Sequence, residues 1–309
     1  MELKGKKVLV TGGAGFIGSH LVDKLLLLGA KVSIIDDLST GRRENVNPRA
    51  RFFQLDISSP EVRAVFGEIK PEIVYHLAFN TNVPQSVRDP LFDARGISGS
   101  LNIFLASVKS KVKKVVMASS AFVYGNCKPS DLPVTEQHSV EPVSPYAVSK
   151  IASENYLRYF HNAHGLPIVI LRYSTVYGKR QVTGALADYI KKIGEGKRAE
   201  MFGDGNLTRD YIHVDDVVRA NILALDIPSD YPEPIFNLGS ASERSLNEVY
   251  KIVGGILGKP KNKPIYRPRR PGDIVRFSVS FEKARHQLGW EPSVSFEEGV
   301  EALFKNVRR

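Results

Sequence analysis

The chain has 309 residues, a net charge of +10 at neutral pH, and apolar and charged fractions of 42% and 25%; this is enough chain for one large α/β domain or two smaller ones. No apolar run is long enough to span a bilayer; Met1 to Lys7 leads into a strand with no signal peptide; and a single cysteine, Cys127, excludes an internal disulfide and points to a reducing, cytoplasmic setting. The excess Lys and Arg are scattered (Lys111, Lys113, Lys114; Arg267, Arg269, Arg270; Arg308, Arg309) with no aromatic-interleaved tract, which argues against a nucleic-acid partner and suits a small substrate bearing a diphosphate.

Val8 to Val10 reads as a buried strand, followed by Gly12, Gly15 and Gly18 and then by Ile17, Leu21, Leu25 and Leu28 at helical intervals. Strand, glycine turn and helix in this order form a dinucleotide fingerprint. Gly12 permits the turn, Gly15 lets backbone amides approach a pyrophosphate, and Gly18 lets the helix pack close to the sheet. Lys31 to Ile35 is a second strand ending in Asp36 and Asp37. An acid about 20 residues beyond the glycines accepts the ribose hydroxyls and disfavours a 2′-phosphate. The pattern therefore favours NAD, while Arg42 and Arg43 keep NADP open.

Phe52 to Ile57 reads as a third strand, with Asp56 either near the adenine or capping a helix from about Pro60. Glu72 to Leu77 is a fourth strand, Pro90 to Val108 a helix and Lys114 to Ala118 a fifth strand. This alternation implies a doubly wound parallel sheet of Rossmann type, with ligands at the carboxyl ends of its strands. The fifth strand runs into Ser119-Ser120-Ala121-Phe122. Beyond a Pro-rich loop, Tyr146-Ala147-Val148-Ser149-Lys150 opens a helix to about His161. Tyr and Lys four apart share a helix face. An ammonium there is expected to lower the phenol pKa, making Tyr146 a general base and acid. Leu166 to Arg172 is a sixth strand, Met201 to Gly205 a turn, Val217 to Leu225 a helix and Ile235 to Gly239 a late strand. The division expected is a nucleotide-binding part, 1–174 with 214–240 returning to it, and a smaller α/β substrate lobe, 175–213 with 241–309. His213 is assigned no chemistry, and no metal is called for.

The glycine run, the Asp36-Asp37-Leu38 end, HLA, SSAFVYG, YAVSK, RYSTVYG, GDGNLTRDYIHVDDVVRA and RRPGD together resemble the extended short-chain dehydrogenase/reductases. Within that group the resemblance is to NAD-dependent sugar-nucleotide epimerases and dehydratases, nearest the 4-epimerases of UDP-galactose and UDP-glucose, from Val8 to about Leu303. It implies Ser120, Tyr146 and Lys150 as the catalytic set. It implies an NAD site of Gly12, Gly15, Phe16, Ile17 and Gly18; Asp36, Asp37, Ser39, Thr40 and Gly41; Asp56 and Ile57; Leu77, Ala78 and Phe79; Ala118, Tyr146, Lys150 and Tyr173. For a UDP-sugar substrate it implies Ser120, Thr175, Phe202, Arg209, Arg270 and Asp273, with Phe277 near the sugar. Family dehydratases carry an acid where Ala121 and Phe122 stand, so epimerisation at the 4-position is expected. Net oxidation of a nucleotide sugar and a non-catalytic binding role are the alternatives. The sequence departs from its relatives at Phe79, where a small residue is usual, and at Arg95-Gly96-Ile97, where an Asn is usual. Thr175 replaces an Asn and Lys179 a Pro. The helices holding Leu101 to Leu105 and Ala152 to Phe160 carry more apolar positions than one sheet face needs; relatives pair them into a homodimer bundle, and simple core is the other reading.

Overall fold

The computed structural model describes residues 2–305. Its first half runs β1 (Lys7–Thr11), α1 (Phe16–Leu27), β2 (Lys31–Asp36), β3 (Arg51–Gln54), α2 (Val62–Ile69), β4 (Ile73–His76), α3 (Val83–Arg88), α4 (Pro90–Lys109), β5 (Lys114–Ser120), α5 (Pro145–His164) and β6 (Ile168–Tyr173). The rest runs β7 (Thr175–Tyr177), α6 (Ala185–Gly194), β8 (Glu200–Phe202), β9 (Thr208–Arg209), β10 (Tyr211–His213), α7 (Val214–Leu223), β11 (Ile235–Leu238), β12 (Arg244–Ser245), α8 (Leu246–Ile256), β13 (Ile265–Arg267), α9 (Glu282–Leu288) and α10 (Phe296–Lys305).

The described residues form a seven-stranded parallel sheet in the order β11-β6-β5-β4-β1-β2-β3. Side chains alternate across it. Val8, Val10, Ile34, Tyr75, Val116 and Leu171 face α1, α7 and α9, whereas Leu9, Ile35, Val74, Val115, Met117 and Ile170 face α2, α4 and α5. Covering both faces is what makes these strands read as continuous apolar runs. Leu21 and Leu25 anchor α1 by complete burial, each contributing about 1.5–3 kcal/mol. Leu28, expected on the same stripe, is instead the C-cap and is 38% exposed. Among the described residues no helix is long and apolar enough to cross a membrane.

Three elements differ from the sequence expectation. β3 ends at Gln54 rather than Ile57, because Asp56 turns the chain: its carboxylate accepts from Ser58 N–H and its carbonyl from Ser59 N–H. Asp56 therefore does not cap α2, whose N-cap is Glu61. The short α3 has too few residues to show a periodicity; Asn82 caps it by accepting from Gln85 N–H. α7 begins three residues earlier than its apolar pattern, at Val214, because His213 Nδ1 accepts from Asp215 N–H.

A further hydrophobic core gathers Tyr177, Leu186, Tyr189, Met201, Tyr211, Val249, Tyr250 and Phe296. Asp216 of α7 ties it to the sheet, accepting from Ser293 N–H, Ser293 Oγ–H, Val294 N–H and Arg219. The sheet reverses its winding between β1 and β4, which opens a crevice at their carboxyl ends.

Candidate active site

The glycine turn lies in that crevice and leaves no room for a side chain at Gly12 or Gly18. Gly12 has φ +72°, and a Cβ there would lie 2.7 Å from Ala78 N; one on Gly18 would lie 2.1 Å from Gly12 O. α1 starts from Gly15 with no side-chain cap and no acid in its first turn. Such a helix end suits an anion. Phe16 and Ile17 are half-buried beside it. The buried Asp36 carboxylate accepts from Ala14 N–H (2.9 Å) and Leu38 N–H (2.9 Å), and burial raises its pKa. A Cβ on Gly41 would come within 2.6 Å of Asp36 Oδ1, so the loop closes on the carboxylate. Asp37, Ser39 and Thr40 lie along that loop, with Asp37 accepting from Ser39 N–H and Oγ–H. Arg42 pairs with Glu44, and Arg43 lies 4.4 Å over the Phe52 ring; neither is held at Asp36. A backbone cradle closed to side chains at Gly12 and Gly18, with a buried acid at the end of β2, fits NAD.

The Asp56–Ile57 turn is held from α4. Asn102 Nδ2–H donates to Ile57 O (3.0 Å) and Ser59 O (2.7 Å), and Gly99 lets the helix approach Ile57. Asn102 carries no signal in the sequence, since its partners are more than forty residues away.

His76 shows why the HLA segment belongs here. Ala78 N–H donates to Thr11 Oγ1, which bonds His76 Nδ1 (2.8 Å); His76 Nε2 bonds Ser100 Oγ (2.9 Å), which donates to Gly96 O (2.8 Å). That order makes the imidazole the neutral Nε2–H tautomer. Burial drives its pKa down to about 3. The chain of bonds fixes Leu77, Ala78 and Phe79, all half-buried, against β1 and α4.

Ser120, Tyr146 and Lys150 come together as expected. Ser144 caps α5 by accepting from Ala147 N–H, and Pro145 occupies its first turn. Ser86 of α3, unassigned from sequence, accepts from Tyr146 N–H at 2.6 Å. Ser120 Oγ accepts from Phe122 N–H at 3.2 Å, and its hydroxyl is near enough to the Tyr146 phenol to favour the phenolate. Lys150 Nζ donates to Ala118 O at 2.9 Å. One expectation is corrected. The Tyr146 pKa is pushed up to about 12, not down, because burial outweighs the pull of the Ser120 hydroxyl and Asp93 adds negative charge. Lys150 is pushed down to about 7 by burial, against the pull of Glu154 and Asp93. Its ammonium is turned to Ala118 O and lies over the Phe79 ring, 3.9 Å from the centroid.

Two acids near the pair were also missed. Glu154 is buried, accepts from Ser119 Oγ–H, and takes two bonds from Arg172 (3.0 and 2.6 Å). Asp93 is buried, accepting at Oδ1 from Asn80 Nδ2–H (3.0 Å) while Oδ2 has no partner. A lone Asp in a helix carries no sequence signal until the elements around it are known.

The turn Ala121–Tyr124 leads from Ser120 into a cluster with Val134, Ile274, Phe277 and Val279. Phe122 meets Phe277 edge-on at 5.5 Å and sits 5.7 Å beneath Arg209. Phe277 is wholly buried in this cluster. Arg209 is braced by Thr208 O (2.7 Å) and Ile274 O (2.8 Å), beside the half-buried Asp273. Arg270 stacks on the Phe202 ring, 3.3 Å from its centroid. Thr175 Oγ1 is buried without a partner. Tyr173, at the end of β6, is buried with its hydroxyl bonded to Asn221 of α7.

A model of the NAD dependent epimerase/dehydratase family matches residues 8–239. The chain belongs to the NAD-dependent epimerase/dehydratase family. A relative from Methanocaldococcus jannaschii named "Putative UDP-glucose 4-epimerase" is 39% identical, covering 96% of each chain. The epimerase/dehydratase fold is shared with a UDP-glucose 4-epimerase from Thermotoga maritima solved with UDP-glucose. That structure is 39% identical with a TM-score of 0.92, over 98% of this chain and 99% of the other. A UDP-glucose 4-epimerase from Thermus thermophilus, solved with NAD, is 36% identical with a TM-score of 0.90, over 97% and 98%.

Proposed function

We propose that this chain epimerises a UDP-hexose at the 4-position through a transient 4-keto sugar, keeping its NAD between turnovers. The observation that carries this reading is the buried Ser120–Tyr146–Lys150 cluster beside the glycine cradle, joined through Phe122 to Arg209. When bound, oxidised NAD supplies a hydride acceptor and a positive charge. Tyr146 takes the proton of the sugar 4-hydroxyl and gives it back after the sugar has turned. Ser120 holds that oxygen through its hydroxyl. Lys150 supplies the ammonium beside the phenol. Arg209 and Arg270 suit a diphosphate, since a guanidinium pairs with phosphate oxygens two at a time. The orphan hydroxyl of Thr175 is available to the same group. Ala121 and Phe122 offer no acid to expel water, which speaks for epimerisation over dehydration. On this reading 1–174 with 214–240 hold NAD, and 175–213 with 241–309 hold the UDP-sugar.

The test is to incubate the purified chain with UDP-glucose, UDP-galactose and their N-acetyl forms without added cofactor, resolving products by sugar. The expected result is equilibration of one C4 pair with NAD retained on the protein. Turnover that consumes added NAD stoichiometrically would favour net oxidation instead. No turnover with any of the four would overturn the substrate assignment.

A homodimer is part of the same proposal. Leu105 of α4 and Val148, Tyr156 and Tyr159 of α5 are exposed apolar residues on two helices that pack on one another. Two such pairs would bury them in a four-helix bundle. Sedimentation should give a dimer at micromolar concentration, and Tyr159→Glu with Leu105→Glu should give a monomer. A wild-type monomer at that concentration would reject the bundle.

A further inference from the structure

Phe79 and Gly96, separate departures in the sequence, meet in the fold. A glycine inside a helix is unfavourable, yet Gly96 lies within α4. A Cβ there would stand 2.9 Å from both Cε2 and Cζ of Phe79. The missing side chain is the space in which the ring lies. The same ring serves two residues of α5: Lys150 Nζ sits 3.9 Å from its centroid over the ring, and Tyr146 meets it edge-on at 6.2 Å between centroids.

The surroundings of Lys150 make that contact consequential. The residue is 4% exposed, and its ammonium donates to Ala118 O of β5. The charged or titratable groups acting on it are Glu154 on its own helix, Asp93 from α4 and the neutral His76 from β4, and Tyr146 precedes it by one helical turn. Glu154 is taken up by Arg172 from β6, and Asp93 by Asn80. Among the described residues no carboxylate is hydrogen-bonded to Lys150. A desolvated ammonium over a ring face is drawn to the π-electron density there.

We propose that Phe79, seated by Gly96, is a positioning residue for Lys150: its face keeps the buried ammonium charged and fixed beside Tyr146. This rests on the reading that Tyr146 and Lys150 carry the chemistry. The sign of the effect follows from the charge. Lys150 acts as an ammonium, so activity falls as pH rises through its pKa. Removing the ring face disfavours the ammonium and moves that fall to lower pH.

The test uses full-length protein: wild type, Phe79→Leu, Gly96→Ala, the double variant and Lys150→Met. Two quantities are read: the pH profile of kcat/KM with NAD bound, and direct titration of the Lys150 side chain by carbon NMR of 13C-labelled lysine. Lys150→Met assigns the signal. Phe79→Leu, which keeps bulk but not the π face, should move both the basic limb and the titration down by about one pH unit. Gly96→Ala, which displaces the ring, should shift them the same way. The double variant should match Phe79→Leu alone, because the glycine acts through the ring. An unmoved Lys150 titration in both single variants, or shifts that add in the double, would overturn the proposal. Should Lys150→Met keep full turnover, the catalytic reading fails, while the NMR titration still judges the contact.

Discussion

Tyr146→Phe is expected to lower kcat by about 10²–10⁴-fold, the range for removing a general acid–base group, while KM for the UDP-sugar changes little. The substitution keeps the ring that packs against Phe79 and removes only the hydroxyl near Ser120. Binding groups at Arg209, Arg270 and the glycine turn are untouched, so NAD and UDP affinity should persist. Steady-state kinetics beside a titration with UDP checks both halves; an equal loss of UDP affinity would mean that the ring, not the proton, was at stake. The pH dependence has a definite sign. Burial pushes Tyr146 up to about 12, so the phenol is protonated at neutral pH unless a cation stands beside it. Lys150 and oxidised NAD are the cations available. Wild-type kcat should therefore rise with pH as Tyr146 deprotonates and fall again as Lys150 loses its proton, and the residual activity of Tyr146→Phe should lack the rising limb.

Glu154→Ala should be the most damaging single change to stability, by about 3–5 kcal/mol, the cost of leaving one member of a buried ion pair without the other. Arg172 is buried, with both bonds to Glu154 lost and one to the Tyr124 hydroxyl (2.8 Å) remaining. The loss spreads, because Tyr124 donates to Asn237 of β11 (2.8 Å) and Ser119 next to the catalytic serine loses its acceptor. Urea unfolding at fixed NAD concentration measures it, the fixed concentration being needed because bound ligand adds to apparent stability. Adding Arg172→Met should recover part of the loss, since the uncompensated charge is then gone. A loss below about 1 kcal/mol in Glu154→Ala, the range of exposed pairs, would show that water reaches Arg172. Glu154 also raises the Lys150 pKa, so whatever folded Glu154→Ala enzyme remains should lose activity at lower pH than wild type.

The cofactor cradle was readable from the chain because its requirements are local. Gly12, Gly15 and Gly18 answer to backbone approach within one turn, Asp36 to the end of one strand, and Tyr146 with Lys150 to one turn of helix. The parallel sheet followed from alternation of strand and helix, a property of the chain read in sequence. Where the deciding partners lie far along the chain, the sequence carries no signal or points the other way. β3 is shorter than its apolar pattern suggests, because Asp56, flanked by Leu55 and Ile57, turns the chain. The partner of the Tyr173 hydroxyl, Asn221, lies forty-eight residues on and gives no sign in the sequence. Tyr146 was expected to be acidified by Lys150, and burial decided the other way. Ser86, Asp93, Asn102 and Glu154 gave no signal, since each acts only on residues that another element delivers. Periodicity and glycine geometry are set by a few consecutive residues, so the amino-acid order determined the fold class, the nucleotide turn and the Tyr–Lys pair. Desolvation, hydrogen-bond partners and the fit of Phe79 into the gap at Gly96 depend on which distant segments come to lie side by side, and only the tertiary structure decided them.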